Sequence, residues 1–205
     1  MMKPERIPLQ TVLESTEKLM RVIRSIQAGA VFVYPTETIY GIGGRADLQS
    51  VKDRVYKAKN RPPLNPVILI ASKRSFFASS GLNFPHAAED LMKRFWPGLL
   101  TIVLPSAQNP EGTAVRVSGH PFIREVFSGL VAPLISTSAN LSGQKYSPDP
   151  DIIYETFSSS VDFMIDAGPL PPSAPSTVVK ISNDNKISLI REGAVSSAEI
   201  FRTVS

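Results

Sequence analysis

Five consecutive apolar residues, Ala30-Val31-Phe32-Val33-Tyr34, stand between Gly29 and Pro35. A run this short, β-branched and aromatic and without polar alternation, fits a strand buried on both faces. Helical patterns lie on either side of it. Thr16 to Ala28 gathers Leu19, Met20, Val22, Ile23 and Ile26 on one face and stops at Gly29. After a loop, Asp47 is placed to cap a second helix through about Lys59, with Leu48, Val51 and Val55 at helical spacing and Pro62-Pro63 as its stop.

Strands are expected at Val67 to Ile70, Leu100 to Leu104, Ala114 to Val117, Leu134 to Ser136, Phe163 to Ile165, Thr177 to Ile181 and Ile187 to Ile190. Pro85 to Phe95, Pro121 to Gly129 and Asp151 to Phe157 carry apolar residues three and four apart and read as helices. This alternation predicts an α/β fold, a large twisted mixed sheet flanked by helices, in a single domain over residues 1–205 with its core at about 16–195. Asn183-Asp184-Asn185 predicts a hairpin turn, so the C-terminal strands are expected to be antiparallel. The proline-rich stretch Leu170 to Pro175 reads as a stiff surface loop or flap, because proline fixes φ and cannot join a central ladder.

Composition narrows the chemistry. At 205 residues with 42% hydrophobic and 20% charged residues, the chain can bury a sizeable core. It has no cysteine, which excludes a disulfide framework, a thiol nucleophile and thiolate zinc sites. Lys plus Arg number 22 against 18 Asp plus Glu, a balance of +4 that suits an anionic ligand. No apolar run follows Lys3 and Arg6, and none reaches the ~20 residues of a membrane span, so a soluble cytoplasmic protein with no membrane partner is expected. There is no G-x-S-x-G, and the two histidines, His86 and His120, each adjoin a proline at a helix start, where surface or capping roles are expected. Carboxylates do not cluster as metal ligands, so no metal site from protein side chains is expected; a divalent ion such as Mg2+ would arrive with a nucleotide's phosphates.

Gly41-Ile42-Gly43-Gly44-Arg45-Ala46 satisfies the G-x-G-x-x-A form of a dinucleotide fingerprint. Five residues, Thr36 to Tyr40, separate it from the strand, and no acidic residue follows the next strand to hold a ribose. The alternatives are a plain glycine turn or a glycine floor against which another ligand packs. Lys52, Arg54 and Lys57 read as a solvated helix face. Lys59 and Arg61 straddle the helix end, where side chains project into a cleft. Lys59 there either complements the helix dipole or joins Arg61 in a phosphate clamp. Ser136-Thr137-Ser138-Ala139-Asn140 follows a strand's carboxyl end, the usual ligand position in open α/β sheets, though a hydroxyl-rich turn has the same composition. Arg116 and Arg191 sit at strands, and an inward-pointing arginine needs an anionic partner.

Taken together these residues resemble a known family. Tyr34-Pro35-Thr36-Glu37-Thr38-Ile39-Tyr40-Gly41-Ile42-Gly43 resembles the P-T-E-T-x-Y-G-L-G signature of YrdC-like threonylcarbamoyl-AMP synthases. Lys59-Asn60-Arg61-Pro62 with Asn65-Pro66 is similar to K-x-R-P…N-P, and Phe95-Trp96-Pro97-Gly98 with Leu100-Thr101 to F-W-P-G-x-L-T. Val115-Arg116 with His120-Pro121, Ser138 to Gly143 (S-A-N-x-S-G), Ser176 to Val179 (S-T-V-V) and Ile190 to Gly193 (I-R-x-G) complete seven segments in order. Two departures flank the S-T-V-V segment: Pro175 and Lys180 stand where the family often has Glu and Asp.

The resemblance implies a YrdC-like fold with a basic ligand groove, and a reaction joining L-threonine, bicarbonate and ATP into L-threonylcarbamoyl-adenylate and pyrophosphate. A tRNA threonylcarbamoyl transferase complex would use the product. Carried over position by position, it implies catalytic roles for Lys59 and Arg61 and ATP contacts from Lys59, Arg61, Pro63, Ser138, Asn140 and Arg191. Threonine would be held by Thr36, Arg116 and Ser176, with Thr38, Tyr40, Gly41 and Gly43 shaping the pocket. The loop Leu170 to Pro175 is placed to close over the site. Two rival readings accompany this one. The same basic surface would suit a double-stranded RNA or tRNA-binding module without synthase activity, and a carbamoyl-transfer relative would use a similar domain.

Overall fold

The computed structural model describes residues 3–62, 67–106 and 109–204. Its strands are β1 (Glu5–Pro8), β2 (Phe32–Tyr34), β3 (Gly41–Arg45), β4 (Ile68–Ala71), β5 (Leu100–Ser106), β6 (Asn109–Val117), β7 (Leu134–Ser138), β8 (Phe163–Asp166), β9 (Thr177–Ile181) and β10 (Ile187–Arg191). They form one mixed sheet in the order β1-β8-β2-β3-β7-β4-β6-β5-β9-β10. The helices are α1 (Leu9–Glu14), α2 (Thr16–Gln27), α3 (Gln49–Ala58), α4 (His86–Phe95), α5 (Pro121–Val126), α6 (Pro150–Phe157) and α7 (Ser197–Thr203). Among the described residues no helix is long and apolar enough to cross a membrane.

β2 behaves as its apolar run predicts. Phe32 and Tyr34 enter one core, with residues of α1, α2, α4 and α5, while Val31 and Val33 enter a second, with Val51 and Val55 of α3 and Ile153 and Phe157 of α6. Phe32 stacks on Phe163 of the neighbouring strand at 4.9 Å between ring centres and meets Phe122 of α5 edge-on at 6.2 Å. Each such side chain, fully buried, contributes roughly 1.5–3 kcal/mol.

α2 begins at Ser15, whose hydroxyl accepts from Lys18 N, and ends before Gly29 at φ 94°. β9 and β10 form the expected antiparallel hairpin, with Asn185 at φ 62° in its turn. α6 is capped by Asp149, and His120 caps α5, its Nδ1 accepting from Phe122 N at 3.2 Å. His86 is exposed and faces Asp90 at 3.1 Å.

Two expectations need correction. Asp47 does not cap α3: the cap position is Leu48, with no side-chain bond, because the Asp47 carboxylate is taken by Arg45 through Nε at 2.9 Å and Nη2 at 2.5 Å. Gly41 to Arg45 is neither a fingerprint loop nor a turn but β3, antiparallel to both β2 and β7. Its glycines admit neighbouring backbone: a Cβ on Gly43 would stand 1.8 Å from Ile135 O, and one on Gly44 2.5 Å from Ala30 O. Ordered elements also lie outside residues 16–195. β1 pairs in parallel with β8, and Ile200 of α7 is buried in the larger core.

Candidate active site

Thr36 and Thr38 to Tyr40, in the loop between β2 and β3, form one wall of a groove of about 480 Å³. The C-terminal end of β7 with Asn140, the start of β4, β5 and β6 through Val103, Ala114 and Arg116, and the segments flanking β9 and β10 supply the rest. Arg61, Arg116 and Arg191 line it together with a row of hydroxyls, and no described lining residue is acidic. Arg61 and Arg191, from separate elements and without a carboxylate in the described lining, give a field that favours anions, while the charge of Arg116 is met by Glu37 behind it.

Arg116 is 5% exposed and does point inward. Its Nη2 donates to Glu37 Oε2 at 2.6 Å and its Nε to Gly98 O at 2.7 Å. Glu37 also accepts from Ser118 Oγ at 3.0 Å and Gly119 N at 2.7 Å. One carboxylate thus ties the β2–β3 loop to the end of β6 and balances the buried cation, as burial of a charge requires. Burial pushes Arg116 below the usual guanidinium range, opposed by the Glu37 charge. Within the loop, Thr36 Oγ1 donates to Ile39 O at 2.7 Å and lies 3.1 Å from Thr38 Oγ1, a closed turn that presents both residues to the groove.

The sequence places the Lys59 side chain in the cleft; the structure instead buries it at 1% exposure beneath the 138–140 loop. Its Nζ donates to Ser138 O and, at 2.7 Å, to Asn140 O. Burial, and secondarily the charge of Arg61, lower its pKa to about 8. Above it Ser138 Oγ donates to Asn140 Oδ1 at 2.5 Å, and Asn140 Nδ2 donates to Gln144 O at 2.7 Å. A buried ammonium on two carbonyls therefore sets the shape of the loop carrying two predicted nucleotide contacts.

On the opposite wall, Arg191 Nη2 donates to Ser176 O at 2.7 Å, and the Ser176 and Thr101 hydroxyls are hydrogen-bonded to each other at 2.8 Å. Gly193 lies so close to this segment that a Cβ there would stand 2.1 Å from Pro175 O. Arg191 is exposed at the groove's edge, and partial desolvation lowers it below the usual guanidinium range. Tyr40 closes the floor: its hydroxyl donates to Gly168 O and accepts from Ala167 N, both at 2.8 Å, and its N–H donates to Tyr146 Oη at 2.9 Å. Burial raises the Tyr40 phenol well above its ordinary value.

Thr36, Thr38, Tyr40, Gly41, Arg61, Arg116, Ser138, Asn140, Ser176 and Arg191 thus meet in one groove. Lys59 lies under it, Gly43 faces Ile135 rather than the groove, and Pro63, with Asn65-Pro66 of its motif, lies outside the described residues. The sequence reading missed Glu37, Thr101 and Tyr146. Glu37 was legible as the acid within Thr36 to Thr38 once Arg116 needed a partner; nothing local marks Thr101 or Tyr146.

Comparison with known proteins follows this geometry. A family model for Sua5, YciO and YrdC proteins, described as Telomere recombination, matches residues 24–193. A threonylcarbamoyl-AMP synthase of Bacillus subtilis is 31% identical over 184 residues, covering 85% of this chain and 53% of that protein. The chain therefore spans about half the length of the first curated relatives it matches. A threonylcarbamoyl-AMP synthase of Psychromonas ingrahamii is 28% identical over 188 residues, covering 86% of this chain and 98% of that protein. Among solved structures, P. abyssi Sua5 complexed with L-threonine superposes with a TM-score of 0.85 at 27% identity, over 99% of this chain and 61% of that one.

Proposed function

This chain belongs to the Sua5/YciO/YrdC family, and from that premise we propose that it is an L-threonylcarbamoyladenylate synthase. The observation that carries the reading is the convergence of Arg61, Arg116 and Arg191 in one groove with no acidic residue among its described lining. A threonine carboxylate, a carbamate and a triphosphate are three anions that must share one site, and only several cations from separate elements can hold them.

The reaction needs no protein nucleophile. The threonine amine and bicarbonate give an N-carboxylate with loss of water. One carbamate oxygen then attacks the α-phosphorus of ATP, a new P–O bond forms, and the bond to the β-phosphate breaks with pyrophosphate leaving. The protein's task is to position the reactants in line and hold their charge. Arg116, with Thr36, Thr38 and Ser176, is assigned to the threonine end; Arg61 and Arg191, with Ser138 and Asn140, to the nucleotide. Lys59 stands below the phosphate end and adds its charge while fixing the 138–140 loop. A divalent ion would be carried on the nucleotide's phosphates.

Support for the threonine end comes from the relative whose structure holds L-threonine. The adenylate would then pass to a tRNA threonylcarbamoyl transferase complex. The test is mass spectrometry of the product formed from isotopically labelled bicarbonate, L-threonine and ATP. A labelled threonylcarbamoyl-adenylate supports the reading. Its absence, with salt-sensitive binding of structured RNA that ignores threonine, would favour the binding-module reading instead.

A further inference from the structure

Among the described residues, one buried side-chain polar atom has no hydrogen-bond partner: Tyr34 Oη. Its ring is fixed, fully buried, between Phe32 at 5.0 Å and Phe122 at 6.0 Å. An orphaned buried hydroxyl costs roughly a kilocalorie or more, so its retention calls for a partner that arrives later. The phenol end lies directly beneath the groove. From the point where a Cβ on Gly41 would stand, Tyr34 Cζ is 3.5 Å away and Ser136 Oγ 3.1 Å, and both Gly41 and Ser136 line the groove. The Tyr34 and Ser136 hydroxyls are near enough to act on each other, yet Tyr34 Oη completes no hydrogen bond of good geometry among the described residues.

We infer that Tyr34 is a positioning residue for the threonine end of the groove: when ligand binds, its phenol donates to Ser136 Oγ, which turns its own proton toward the ligand's carboxylate. The chain of donors is Tyr34 Oη–H to Ser136 Oγ–H to the anion, and each link strengthens the next. Burial holds the phenol neutral far above neutral pH, so it stays a donor. Ser136 lines the groove together with Arg116 and Thr36, the residues assigned to threonine, which puts the pair beside that end. Gly41 keeps the slot open, because any Cβ there would crowd the Ser136 hydroxyl.

This inference rests on the threonine-binding reading of the groove, and calorimetric titration with L-threonine separates the two. Tyr34→Phe removes one oxygen and keeps the ring. The expected result is affinity for L-threonine weakened roughly tenfold, with an unfolding temperature equal to or above that of the unaltered protein. In a Ser136→Ala background, Tyr34→Phe should then have no further effect on affinity. Unaltered protein that binds no L-threonine would overturn the functional reading and this inference with it. Unaltered protein that binds, with Tyr34→Phe binding equally well, would overturn the inference alone; so would a tenfold loss that persists in full in the Ser136→Ala background.

Discussion

The Lys59 ammonium donates to the main-chain oxygen of Asn140 at 2.7 Å while being almost wholly buried. A lysine at the end of a basic helix thereby becomes an internal strut for the loop opposite it. Replacing it by Met leaves two carbonyls without their charged donor, and hydrogen bonds to a charged group contribute about 1.5–3 kcal/mol each. Lys59→Met should therefore weaken nucleotide binding by at least about tenfold while L-threonine affinity changes little. Titration calorimetry with each ligand separately checks this.

The same residue makes stability depend on pH. Its folded pKa of about 8 lies below the ordinary 10.5, so between those values the unfolded chain binds more protons than the folded one. Stability contributed through this group therefore rises as pH increases from about 8 to 10.5 and is flat on either side. Urea midpoints at pH 7.5 and 10 should diverge less in Lys59→Met than in the unaltered protein. Equal divergence would show that Lys59 does not titrate in this window.

Glu37 and Arg116 form a partly buried ion pair, at 2.6 Å with side chains 21% and 6% exposed. Removing one partner of such a pair strands the other, at about 3–5 kcal/mol. Glu37→Ala should lower stability by about 3 kcal/mol in urea denaturation and lose threonine affinity as well, since the β2–β3 loop is no longer tied to β6. Full stability in this variant would mean that Ser118 and Gly119 hold the loop without it.

Gly43→Ala and Gly143→Ala separate close approach from backbone strain. A Cβ on Gly43 would lie 1.8 Å from Ile135 O, whereas nothing lies within 4 Å of one on Gly143, at φ +78°. The first substitution has to part β3 from β7 and should cost about 3 kcal/mol or more. The second carries only the left-handed penalty of about 1–2 kcal/mol. Thermal unfolding of both variants gives the ranking.

How far these features were legible depends on whether the signal is local. The apolar run of β2, the amphipathic spacing of α2 and the Asn-rich turn before β10 each carry their own physics, and each element stands where its residues indicate. β3 does not: three of its five residues are glycine, which disfavours a strand, and only the nearness of Ile135 and Ala30 in space explains them. Likewise, Asp47 has the chemistry of a cap but a stronger partner in Arg45. Most of the groove was legible through motif spacing. The roles of Lys59 and Tyr34 were not, because each depends on what lies across the fold: two carbonyls for the first, and Gly41 with the Ser136 hydroxyl for the second.

Pyrophosphate release from ATP with L-threonine and bicarbonate, each omitted in turn, decides the synthase reading when measured in the unaltered protein and in Arg61→Ala and Arg191→Ala. The account predicts release that requires both threonine and bicarbonate and falls by roughly 100-fold or more in either variant, as loss of a charge-stabilising donor does. Release indifferent to threonine, or full activity in both variants, would contradict it.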